Sequence, residues 1–411
     1  MFQLFNQHFP TLSRLVFGLF LIGVYSISAS AQEEEEKKKV FEIYGHVMTD
    51  VGYNFGVVAP NWFDVMRPSK LPSFEGEYGT EGNVYFSVRQ TRFGAKSWID
   101  TPLGELHTFF EWELFGVGAD EGQTTIRLRH AYAEIGKFGA GQYWSPFMDI
   151  GVFPNTLEYW GPSGMVFFRN IQVRYMPIQG QSRLTFALER PGGSNDEGIY
   201  ADRVELDDVE ARFPLPDFSF EYHHGRDWGY VEIAGMVRRI EWEDAGDQPF
   251  DLSGSATGWG LNLSTNLNLG KSSIFRGQFV FGEGIQNYMN DAPADIGIRN
   301  RFENVNSPIE GVPLPVIGIV AFLDHNWSDE YSTSIGYSTL RVDHTDGQTP
   351  DSFDNGEYFI ANFLWAPAEQ ILTGVELQHI RRQNWQDGFS SNATKIQFSF
   401  KYYFSQNFYK K

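Results

Sequence analysis

From residue 395 to 404 the chain reads Lys-Ile-Gln-Phe-Ser-Phe-Lys-Tyr-Tyr-Phe. Ile396, Phe398, Phe400, Tyr402 and Phe404 alternate with Lys395, Gln397, Ser399, Lys401 and Tyr403. Successive side chains of a β-strand point to opposite faces, so this period separates an apolar face from a polar one. The same alternation recurs along most of the chain. Leu106, Thr108, Phe110, Trp112 and Leu114 oppose His107, Glu111 and Glu113, and Leu184, Phe186 and Leu188 oppose Arg183, Thr185 and Glu189. Trp259, Leu261, Leu263 and Leu267 oppose Asn262, Ser264, Asn266 and Asn268, and Phe275, Phe279 and Phe281 oppose Arg276 and Gln278. A soluble sandwich could use such a strand once or twice, but its core would not require so many.

Tight connections fall near residues 100–104, 136–138, 177–181, 225–227, 270–271, 328–330 and 366–369. Longer polar segments lie near 57–82, 116–122, 147–166, 191–215, 243–254, 286–312, 344–355 and 383–391. Seven short and eight long connections predict an all-β fold: a transmembrane antiparallel β-barrel of sixteen strands over residues 40–411, both chain ends on the short-turn side. Residues 201–215 alternate weakly, and a further hairpin there would make eighteen. Closure leaves no strand edge exposed.

The first residues follow a different pattern. Arg14 precedes the apolar run LVFGLFLIGVYSI, and Ala29-Ser30-Ala31 supplies a small-residue cleavage site, so residues 1–31 are expected to be a signal peptide. Residues 32–39, QEEEEKKK, read as a solvated charged tail. No later run is long and apolar enough for a membrane helix. The chain carries 52 Asp plus Glu against 32 Lys plus Arg, a formal charge of −20, which argues against a nucleic-acid partner. It has no cysteine, hence no disulfide and no thiolate metal site.

In a membrane barrel the polar face turns to the lumen. A lipid-facing arginine at the midplane would cost roughly 2–4 kcal/mol. Arg127 and Arg129, two apart in TTIRLRHAYAEI, are therefore expected to point inward. Arg92 and Lys96 in TRFGAKSW share one parity, and Arg174, Arg183 and Arg276 also fall on polar faces. Several adjacent strands would thus place cations on one wall. Met148, Val152, Phe153, Leu157, Tyr159 and Trp160 make residues 147–166 too apolar for an exposed loop. That segment is expected to fold into the lumen and constrict it. Ala131 and Ala133 would leave room beside it, in register with the arginines, and Asp149 and Glu158 would bring acids close to the basic wall. A transverse field of that kind orients anionic solutes in passage. The plainer role for any one arginine is to neutralise Glu111, Glu113, Asp149 or Glu158 and hold the loop.

The segments TRFGAKSW, GELHTFFEWELFG, IRLRHAYAEIGKFGAGQYWSPFMD and FPNTLEYWGPSGMVFFRNIQVRYMP resemble the DcaP-like outer-membrane porins, in order and spacing. DWGYVEIAGMVRR, GWGLNLS and GEGI are similar to that family's middle strands. The resemblance implies a homotrimer of sixteen-stranded barrels in the outer membrane of a Gram-negative bacterium. It implies passage of small anionic solutes, dicarboxylates among them, with Arg92, Arg127, Arg129 and Arg174 at the constriction. Two features depart from the pattern. Only the charge run precedes the barrel, where some members carry a long helical segment, and the chain ends SQNFYKK after Phe404.

Other chemistry is weakly represented. His223 and His224 are adjacent and would point to opposite faces of a strand. No His or Glu spacing suggests a metal site, and GPSG at 161–164 lacks the context of a nucleophile elbow. Neither an enzyme nor a cofactor is expected. The acidic segments 195–210 and 343–357 could ligate calcium bridging to lipopolysaccharide, but read more simply as solvated faces. Membrane lipid and lipopolysaccharide are the expected surroundings. Two classes remain, a passive anion channel and a plugged structural or ligand-binding barrel, and conductance separates them.

Overall fold

In the computed structural model, which describes residues 40–409, the period-two segments pair antiparallel, almost all in chain order. The expected signal peptide and all of the charged tail lie outside the described residues. The wall begins with β1 (Val40–Asn54) and a strand interrupted at residues 88–91. Its two pieces, β2 (Asn83–Ser87) and β3 (Arg92–Thr101), both pair with β1. It continues through β4 (Gly104–Phe115), β5 (Thr124–Ile135), β6 (Phe138–Trp144), β7 (Arg169–Ile178) and β8 (Ser182–Glu189). The next strand is again in two pieces, β9 (Val209–Arg212) and β10 (Asp217–Arg226), both laid against β11 (Gly229–Asp244).

After β12 (Gly254–Leu269) and β13 (Ser273–Glu283), the hairpin of β14 (Ile296–Asn300) and β15 (Ile309–Pro313) stands outside the wall. The wall resumes with β16 (Pro315–Asn326), β17 (Tyr331–Val342), β18 (Phe353–Ala368), β19 (Ile371–Asn384) and β20 (Ser390–Tyr409). β20 pairs with β1 from Tyr409↔Val40 to Lys395↔Asn54, which closes the barrel. With each interrupted strand counted once, the wall has sixteen strands. Residues 201–215 add only β9, so the alternative of eighteen is not realised. Residues 405–409 lengthen β20 beyond Phe404.

All seven predicted tight turns are present, and all eight long connections fall on the opposite rim. At two of the tight turns Gly136 and Gly270 take φ of 57° and 73°, a left-handed conformation that glycine adopts without a Cβ clash. The outer face is apolar and the inner face polar: Phe398 is 53% exposed while its neighbour Gln397 is 1% exposed. This inside-out sorting matches a wall that meets hydrocarbon.

The lumen is far from empty. Met66 and Leu71 of the first long loop and Phe147, Met148, Val152, Met165 and Val166 of the third pack on wall residues Val280, Val320, Leu340 and Ile360. Burying each such side chain contributes about 1.5–3 kcal/mol toward holding the two loops against the wall. The third loop lies close against the wall at one point. A Cβ on Gly164 would sit 2.1 Å from the Thr339 carbonyl, and one on Gly318 would sit 2.2 Å from the Gly164 carbonyl. Only paired glycines allow the two backbones to approach so closely.

Candidate functional site

The site is built around an irregularity in β5. Glu111 of β4 faces His130, yet the next residue, Trp112, faces Leu128, so Arg129 is the extra residue of a β-bulge. A bulge bends the strand and re-aims its side chains. Before it, Arg127 pairs across from Glu113; after it, Tyr132 pairs across from Phe109, and both positions face the lumen. Arg127, Arg129 and His130 therefore crowd one patch of the inner wall. The shift also corrects the expectation for Ala131 and Ala133. They pair with Phe110 and Thr108 on the lipid side, because the bulge reverses parity beyond Arg129.

Two carboxylates sit at the centre of the patch. Glu113 is fully buried and accepts from Arg127 Nε at 3.0 Å, Arg129 Nη1 at 2.8 Å and Arg92 Nη2 at 3.3 Å. Glu111 accepts from Arg129 Nε at 2.6 Å and from the Tyr44 hydroxyl at 2.8 Å. Three guanidiniums thus share two carboxylates. Arg169, the first residue of β7, adds a fourth cation with its guanidinium 5.2 Å from the Trp144 ring centre. Sequence reasoning passed over Arg169 because its parity differs from that of Arg174; at a strand end the alternation no longer dictates direction. It also missed Arg67 of the first long loop, which lies between the Trp62 and Trp160 rings at 4.2 and 4.1 Å and pairs with Asp291 at 2.8 Å. The apolar residues Trp62, Val65, Met66 and Leu71 were the available signal that this loop also turns inward.

The third long loop enters as expected, but its acids do not meet the arginines. Asp149 accepts from Tyr230 at 2.8 Å and Ser264 at 2.6 Å, on β11 and β12. Glu158 is buried and accepts from the Met66 amide at 3.0 Å, the Gly161 amide at 2.6 Å and the Tyr358 hydroxyl at 3.1 Å. Burial pushes the Glu158 carboxyl above its ordinary range. Between these anchors the Leu157 and Glu158 amides donate to Glu376 of β19 at 2.8 and 2.9 Å. The loop therefore follows the wall from β12 round to β19. It reaches the cations through Tyr159, whose hydroxyl bonds both Glu113 and Arg127. Wall acids, not loop acids, neutralise the arginines, because the loop's carboxylates are already occupied by hydroxyls and amides.

The other expected cations divide between two regions. Arg174 bonds the Gln172 side chain at 2.8 Å and the Trp144 carbonyl at 2.5 Å, with Tyr132 and Tyr143 ring centres 5.2 and 5.1 Å away. Arg183 bridges Glu221 at 3.0 Å and Glu232 at 2.8 Å. Lys96 lies 4.2 Å from the Tyr44 ring centre and 3.9 Å from Glu42. These residues share the β3–β8 side of the lumen with the patch. Arg276 does not. It is on β13, pairs with Asp324 at 2.6 Å and bonds the Gly151 carbonyl, so it anchors the loop on the far wall. Among the described residues no group of His, Asp and Glu is arranged to hold a metal ion.

A closed sixteen-stranded barrel, apolar outside, polar inside and narrowed by an inward loop, defines the class of outer-membrane channels with the porin fold. The sequence matches the DcaP outer membrane protein family model over residues 28–404, and the chain belongs to that family. In fold it is similar to the outer membrane channel DcaP of Acinetobacter baumannii, with a TM-score of 0.74 at 19% identity, covering 92% of this chain and 100% of that one. It is similar also to an anion-selective porin from Comamonas acidovorans (TM-score 0.57, 10% identity, 89% and 100% covered). The OmpT outer membrane protein of Vibrio cholerae shares the fold too (TM-score 0.53, 12% identity, 92% and 100% covered). No curated protein matches the chain in sequence.

Proposed function

We propose that this outer-membrane channel passes small anionic solutes by diffusion, dicarboxylates among them, with the arginine patch facing the inserted loop as its filter. The observation that carries the reading is the charge imbalance at the patch, where four guanidiniums from Arg92, Arg127, Arg129 and Arg169 surround the carboxylates of Glu111 and Glu113. Positive charge at a low-dielectric constriction raises the local concentration of anions. The acidic outer loops oppose this only at a distance, since salt screens exposed charges over about 8–10 Å. In the same reading residues 1–31 direct export and are removed, and the mature chain assembles as a homotrimer among lipid and lipopolysaccharide.

The test is the reversal potential of the purified protein in a planar bilayer under a potassium chloride gradient. Anion selectivity that falls in Arg127→Ala/Arg129→Ala supports the filter. Absence of conductance would favour the plugged barrel, and a cation-selective current would assign control to the acidic loops.

A further inference from the structure

We propose that Arg169 is the residue of this constriction that coordinates a passing anion, in a cavity between the arginine patch and the two inserted loops. The inference rests on the anion-channel reading above and identifies which of its cations is available. Arg92, Arg127 and Arg129 are each committed to Glu111 or Glu113, with ion-pair distances between 2.6 and 3.8 Å where the contact is of ordinary length. Arg129 is further held under the Trp144 ring, 5.4 Å from its centre. Arg169 shares that indole but has no carboxylate within ion-pair distance among the described residues. Its Nη1 is shielded from solvent and has no hydrogen-bond acceptor. A buried donor in that state is ordinarily met by a ligand or an ordered water.

Arg169 lines a cavity of about 470 Å³ together with Arg127, Gln142, Tyr159 and Asn290. That volume suits a solute of a few carbons. Two other charged groups in the lining are already engaged. Arg67 pairs with Asp291 at 2.8 Å, and Glu121 accepts from the Trp62 indole at 3.1 Å. The indole is neutral, so Glu121 keeps its charge; among the cations of the lining, Arg169 is the one without a carboxylate at ion-pair distance. Its planar fork can donate two parallel hydrogen bonds to one carboxylate, which a lysine ammonium cannot reproduce.

The test compares the wild-type protein with Arg169→Gln and Arg169→Lys in planar bilayers, after heat-modifiable gel mobility has shown that each is folded. Two quantities are read: the chloride-to-potassium permeability ratio, and the block of chloride current by succinate. Arg169→Gln is expected to lower the ratio at least threefold and weaken the block about tenfold. Arg169→Lys is expected to keep the ratio and lose most of the block. Should the glutamine variant not fold, the lysine variant carries the test, and a block equal to wild type overturns the proposal. An anion-selective wild type with both quantities unchanged in Arg169→Gln overturns the role of Arg169 and leaves the channel reading standing. A wild type that is cation-selective or silent overturns the channel reading itself, and this inference with it.

Discussion

The two sides of the lumen employ buried carboxylates in opposite ways. On the β3–β7 side, Glu113 is surrounded by the side-chain cations Arg92, Arg127 and Arg129. On the β12–β19 side, Glu376 accepts two consecutive backbone amides and Asp149 accepts two hydroxyls. In the first region the acid organises charge that remains in excess. In the second it tethers a loop through neutral hydroxyl and amide donors. Equal burial of the same chemical group thus gathers cations on one side and fastens a loop on the other.

The contrast is broken most severely at Glu113. Glu113→Gln leaves three guanidiniums without their shared counter-charge, and removing one partner of a buried pair costs roughly 3–5 kcal/mol. The expected result is a lower denaturant midpoint in lipid vesicles together with stronger anion selectivity in the bilayer. An unchanged midpoint would mean that solvent already reaches the patch. Glu376→Ala strands the Leu157 and Glu158 amides, and each unmet buried donor costs about 1–3 kcal/mol. Stability should fall and single-channel noise should rise as the loop is released, with the sign of selectivity retained. A reversed sign would show that the far wall also filters.

A smaller effect, about 1–3 kcal/mol, is expected of Gly164→Val, whose side chain would collide with the Thr339 carbonyl. Conductance is the readout, because the displaced loop must move toward the open part of the lumen and narrow it. Conductance at the wild-type level would indicate that the loop has room to shift along the wall. Arg276→Gln sharpens the comparison most gently. It removes a loop anchor without touching the patch, so its reversal potential should move less than that of Arg127→Gln. A larger shift would return Arg276 to the filter.

Much of this was legible in the residues themselves. Strand parity over segments such as 395–404 depends only on local backbone geometry, and it sorted lipid from lumen correctly wherever the ladder is regular. Arg127 and Arg129 could be assigned inward because no cheaper place exists for them. Parity failed at the bulge, where Ala131 and Ala133 changed sides, and at the end of β7, where Arg169 turned toward the patch. At the bulge the pairing with β4 sets direction, and at the end of β7, where the alternation stops, Arg169 packs on the Trp144 ring instead. The inward fold of residues 147–166 could be foreseen from their apolar content, but not the partners of their acids.

The sequence by itself determined the barrel, the sidedness of its wall and the presence of an inward loop, while the choice of sixteen strands over eighteen fell to the structure. Each of the first three follows from periodicity, turn residues and the cost of exposing apolar or charged groups. Only the tertiary structure decided that Arg276 belongs to the far wall and that Asp149 and Glu158 are occupied by hydroxyls and backbone amides. It alone placed Arg169 beside Glu113's three partners without a carboxylate of its own. Those outcomes depend on which strands closure brings face to face across the lumen, a relation between residues far apart in the chain that no local pattern encodes.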